Sequence, residues 1–139
     1  TATQIRKTGA KAIFCKLDVS SEKDWSKCVE TTIAQFGKID ILVNNAGLFV
    51  PTNLIEDPPS NIDRLYEVNI KGVIYTVQAV IGKMKERKYG RILNISSIAG
   101  LGTAFAGTSG YSATKALETL AHSGPPSTRA IAGARRRRL

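Results

Sequence analysis

The chain is poor in the residues that announce a specialised chemistry. Its 139 residues include only two cysteines, one methionine and one tryptophan. Cys15 and Cys28 match no metal-binding or redox spacing, and two thiols make no disulfide framework. No metal is therefore expected. No apolar run reaches the roughly 18 to 20 residues of a membrane helix, which excludes a spanning helix. A basic-then-apolar leader is lacking from the chain as given, so no secretory signal is expected. These absences together point to a reduced, cytoplasmic protein.

Acidic residues are also scarce at one end, with none beyond Glu118. The formal charge is +9, from 20 basic and 11 acidic side chains. Five of the basic ones are Arg129 and Arg135 to Arg138, and without them fifteen bases face eleven acids, or +4. A basic total suggests nucleic acid or an anionic surface. Here it comes largely from a short run, and four adjacent arginines would touch phosphate without reading bases. No helix or aromatic platform accompanies them, so neither a nucleic-acid nor a membrane partner is expected.

What is present is an ordinary globular composition, 42% hydrophobic and 22% charged, of a size for one core. Thr1 to Gly9 reads as the polar end of a helix already under way. Ala10 to Asp18 is apolar and ends at a carboxylate, which predicts a buried strand. Ser20 or Ser21 then offers a helix cap, with Glu22 and Asp24 in the first turn. Trp25, Val29, Ile33 and Phe36 follow as one stripe, closed by Gly37.

Ile39 to Asn45 predicts a second strand, after which Gly47 lets the backbone turn. A loop runs through Pro51, Pro58 and Pro59. Ser60 can cap a long helix over roughly Asn61 to Arg87, broken at Tyr89-Gly90. Arg91 to Ser97 predicts a third strand. A loop of small residues from Ile98 to Gly110 leads to a helix opened by Tyr111. Strands alternating with helices argue for an α/β fold, a parallel sheet covered on both faces. Residues 122–139 have no amphipathic period. Their Arg, Gly and Pro content resembles disordered sequence, or the readthrough of a frame-shifted GC-rich message, and predicts a solvated irregular tail after a domain over 1–121.

The chemistry gathers in the second half. Tyr111 and Lys115 stand one helical turn apart on one face. A free phenol, with a pKa of about 10, is a poor proton carrier at neutral pH. An ammonium one turn away favours the phenolate, and a helix N-terminus adds positive potential. A tyrosine so placed can pass a proton to or from an alcohol or carbonyl oxygen. The plain alternative is two surface residues.

Ser97 ends a strand, where an open α/β sheet has its crevice; it either bonds a substrate oxygen or caps its own backbone. Asn69 interrupts an apolar helix, as a satisfied buried amide or as a holder of something the site needs. Asn44-Asn45-Ala46-Gly47 ends a strand with small residues, which admit a ligand or simply turn the chain. Asp18 can accept from a ligand amine, or serve as an accessory to the cap at Ser20 and Ser21.

In order along the chain, LDVS, ILVNNAG, VNIKG, GRILNISSIAG and YSATK resemble the short-chain dehydrogenase/reductase family, of the 3-oxoacyl-carrier-protein reductase and glucose dehydrogenase type. The match covers roughly Thr1 to Leu120. The resemblance implies a Rossmann-like doubly wound parallel sheet. It makes Tyr111 the general acid/base, and has Lys115 favour the phenolate and hold a nicotinamide ribose. Ser97 would polarise the substrate carbonyl, and Asn69 would anchor a water in a proton relay. Asn45, Ala46 and Gly47 would line the cleft of NAD or NADP, with Asp18 at the adenine. It implies reversible hydride transfer with a secondary alcohol or ketone, and a homodimer or homotetramer for the full-length form.

The departures are as definite. The family's Gly-rich phosphate turn is absent; Gly100, Gly102 and Gly107 follow the wrong strand. In the family's sheet order the three expected strands would be numbers 3, 4 and 5, with strands 1 and 2 missing between them. The chain is therefore expected to behave as a fragment, with weak nicotinamide binding and no turnover. The rival reading is a non-catalytic relative that senses cofactor or serves as an interaction module.

Overall fold

A computed structural model describes residues 1–51, 55–56, 58–102 and 106–120. The 122–139 tail lies outside the described residues. Helix α1 spans Ala2–Lys7. Helix α2 runs over Glu22–Phe36, and its start follows the local chemistry: the Ser21 side chain accepts from the Asp24 amide. Gly37 ends it in the left-handed conformation at φ 79°, which costs a glycine little.

Strands β1 (Ile41–Asn44) and β2 (Arg91–Asn94) pair in parallel, Ile41 opposite Arg91 and Asn44 opposite Asn94. The crossover between them is one long rod in three parts: α3 (Pro59–Tyr66), a π-helical turn (Glu67–Lys71) and α4 (Gly72–Glu86). The expected cap at Ser60 is displaced: α3 starts two residues earlier than expected, with Pro58 outside and Pro59 in its first turn. Proline fits there because it lacks an N–H that a first turn leaves unpaired anyway. A 3-10 turn (Ile98–Leu101) leads to α5, which begins at Ser109, two residues ahead of Tyr111.

The core is small. Val80 and Met84 of α4 pack with Ile92 of β2, flanked by Val29, Ile39, Leu42, Val77 and Ile81. Helices α2 and α4 thus cover one face of the sheet. Among the described residues, coverage of both faces is not found. Ile41 and Val43, on the other face of β1, are 60% and 51% exposed, and α5 packs on the 3-10 and π turns instead.

The strand expected over Ala10 to Asp18 is also absent, so the described sheet has two strands and not three. The segment is irregular, and Phe14 is 80% exposed. A strand is a pairing as much as a conformation. Apolar composition predicts the run, but no ladder partner lies beside it among the described residues.

Candidate active site

The π turn sets the site's floor. One extra residue per turn rolls Asn69 inward, and π bulges of this kind recur at functional positions. Asn69 is fully buried. Its Oδ1 accepts from the Leu48 amide at 2.7 Å, while Nδ2 donates to the Leu48 carbonyl at 2.9 Å and to Thr114 Oγ1 at 3.0 Å. It is a satisfied amide that ties the segment after β1 to α5.

Lys115 descends from α5 onto the same place and is only 4% exposed. Its Nζ lies 5.7 Å from the centre of the Tyr111 ring. It donates to the Ile95 carbonyl at 3.2 Å and to both oxygens of Glu118 at 2.9 Å. Three N–H groups thus meet three acceptors. Gly47 closes the group from above. A Cβ there would stand 3.3 Å from Lys115 Nζ and 3.8 Å from Asn69 Oδ1. Its φ is not positive, so glycine serves there to leave room and not to permit the turn expected of it.

Tyr111 is half-buried, its ring edge-on to Phe49 with centroids 5.1 Å apart at 89°. Ser97 stands at the mouth of the 3-10 turn, where its Oγ accepts from the Ala99 amide at 3.2 Å; in this state the hydroxyl caps its own backbone. Its neighbour Ser96 ties the end of β2 to α5, donating to the Lys115 carbonyl at 2.9 Å.

Asn45 and Ala46 are exposed beyond β1 and line a small cleft of about 50 Å³ with Val19, Trp25, Val68 and Gly72. Asp18 borders that cleft through Val19, but its carboxylate is taken by Ser20, whose amide and hydroxyl donate at 2.9 and 2.7 Å. These bonds, the hydroxyl's first, hold Asp18 below the usual carboxylate range. It acts here as the cap accessory. The structure therefore gathers Gly47, Asn69, Tyr111 and Lys115 closely, and leaves Ser97 and Asp18 engaged with their own backbones.

Two residues escaped the sequence reading. Glu118 is 3% exposed, and burial pushes its carboxyl up while the Lys115 bond pulls it down. Its signal was legible: an acid three positions after Lys115 falls on the same helical face. Asn94 pairs with Asn44 across the ends of the two strands, its Oδ1 accepting from Asn44 Nδ2 at 2.8 Å. That pair needs the register and has no local signature.

A family model described as short chain dehydrogenase matches residues 1–123. The chain is 38% identical over 112 residues to a cyclopentanol dehydrogenase of a Comamonas species, covering 81% of this chain and 44% of the relative. A 3-ketoacyl-ACP reductase from Sinorhizobium meliloti superposes with a TM-score of 0.83 at 32% identity, over 87% of this chain and 48% of that one. A gluconate 5-dehydrogenase from Burkholderia cenocepacia, solved with NADP and tartrate, gives 0.80 at 32% identity, over 87% and 47%. The chain spans less than half the length of these relatives. From its sequence motifs and this likeness, the chain belongs to the short chain dehydrogenase family.

Proposed function

We propose that these residues form the proton-transfer half of a site for reversible oxidoreduction of a secondary alcohol or ketone with NAD or NADP. Tyr111 is the general acid/base in this reading. Lys115 places positive charge where the phenolate oxygen becomes negative. Asn69 keeps the Leu48 backbone and Thr114 in register around the amine. Ser97 orients the substrate oxygen once its hydroxyl leaves the Ala99 amide. The domain is assigned to 1–121, with 122–139 as a tail and the cytoplasm as its compartment.

The observation that carries the proposal is the approach of Lys115 Nζ to the Tyr111 ring beside a glycine with no Cβ to block it. The residues fit the nicotinamide-ribose end of the cofactor: a phenol one turn from an amine that would exchange a present acceptor for a ribose oxygen, beside a glycine whose missing Cβ leaves that amine room. The phosphate end finds no Gly-rich turn within the 139 residues. When bound, the cofactor supplies or takes the hydride, and the protein supplies position and the proton.

The test follows NADH and NADPH absorbance with simple ketones. The 139-residue chain is expected to bind nicotinamide weakly and to show no turnover. In the full gene product, Tyr111→Phe should lower kcat by about 10² to 10⁴. Activity retained by that variant overturns the role of Tyr111. Cofactor binding with no turnover in either form favours a sensing or interaction module.

A further inference from the structure

Cys15 and Cys28 have no part in the site above. Both are free and partly buried. They line one cleft of about 240 Å³ together with Lys16, Asp24, Lys27 and Thr31. Their shared cleft brings the two thiols into one pocket between the irregular segment and α2. Cys28 is fixed in mid-helix on α2. Cys15 rides on the irregular segment, which is tied at Ala12 by Arg6 Nη1, 3.1 Å, and at the Asp18 amide by Asp24, 2.9 Å. Between those ties no strand ladder holds the backbone, so it can adjust to the narrow geometry of a disulfide.

We propose that Cys15 and Cys28 form a reversible intramolecular disulfide, closed by a low-molecular-weight disulfide such as glutathione disulfide, that clamps residues 10–18 onto α2. One cysteine thiolate attacks a sulfur of glutathione disulfide. A protein–glutathione bond forms and one glutathione thiolate leaves. The second cysteine, as thiolate, attacks the protein sulfur of that mixed disulfide and expels the second glutathione. The protein gives up two protons and two electrons, and glutathione disulfide is reduced to two glutathiones.

The cleft's charged groups are Lys16, Lys27 and Asp24, whose Oδ2 accepts from the Asp18 amide. Burial, and then the neighbouring Cys15, push the Cys28 thiol up. Closure should therefore quicken as the pH rises. The inference depends on neither the nicotinamide cofactor nor Tyr111.

The experiment treats the 139-residue chain with glutathione disulfide, alkylates the remaining thiols and reads the intact mass. The expected product has lost two hydrogens, takes no alkyl group on either cysteine, and is restored by dithiothreitol. Closure should be faster in buffer than in urea by about tenfold or more, because folding holds the thiols together. Cys15→Ser and Cys28→Ser should each stop at a glutathione adduct on the remaining cysteine. A wild-type chain that stays reduced, keeps glutathione on either cysteine, or links to a second chain overturns the proposal. So does closure at equal rates in buffer and urea.

Discussion

Lys115 and Glu118 are the most consequential pair at the scale of single residues. Two ionised groups are buried there, each satisfying the other. Such a pair is a weak source of net stability, but removing one partner strands a buried charge. Lys115→Met or Glu118→Leu alone should therefore cost about 3 to 5 kcal/mol. The double variant Lys115→Met with Glu118→Leu should lose much less than the two single losses combined. Urea unfolding of the four proteins in that cycle measures the coupling, and simple additivity would show that the two groups do not depend on each other. The lysine was evident from Tyr111-x-x-x-Lys115 alone. Its acid stands at i, i+3 on the same helical face, and only the folded burial of both groups marks the pair as more than a surface contact. Asn69 was recognised as out of place, but its partners at Leu48 and Thr114 are distant in sequence and only folding names them.

Among the elements, the junction of the 3-10 turn with α5 is the tightest. A Cβ at Gly100 would stand 2.6 Å from the Lys115 carbonyl carbon and 2.8 Å from the Ala116 nitrogen. Backbone cannot yield as a side chain does, so Gly100→Ala should destabilise by about 1 to 3 kcal/mol through overpacking. Gly82 is the contrast. It sits inside α4 with nothing within 4 Å of the added carbon and no positive φ. Gly82→Ala should stabilise by about 0.4 to 1 kcal/mol, by narrowing the unfolded ensemble. Thermal unfolding of both variants checks the opposed signs. Helices α2, α4 and α5 were all legible as elements, since caps and periodicity act within a few residues. The π turn was not, because a bulge leaves the apolar spacing nearly unchanged.

For the molecule as a whole, the acid limb of stability falls to exposed carboxylates. Asp40 is held below the usual range by bonds from Lys38 first and Arg87 second, and Asp18 is lowered by Ser20. An unfolded chain protonates such groups at higher pH than the folded one. Their contribution is thus present above the ordinary carboxylate pKa and lost as the pH falls through the lowered value. Glu118, raised by burial, has the opposite sign: its contribution is full below the ordinary value and is lost as the pH rises through the raised one. Asp40→Asn should lower stability slightly at neutral pH, since surface pairs are worth little, and leave it unchanged in acid, so that the acid limb flattens by that same small amount. Urea midpoints across the acid range decide it; an unchanged limb would remove Asp40 from the account.

The chain's order of residues alone determined the helices, the two strands that pair, and the placing of a phenol and an amine on one helical face. Each of these depends on neighbours within a turn or two. Tertiary structure alone decided that Ala10 to Asp18 does not become a strand, that Asn69 binds Leu48 and Thr114, that Gly47 makes room for an amine, and that Cys15 and Cys28 line one cleft. Those outcomes depend on which surfaces are available to pair across the fold, and no local pattern of residues carries that information.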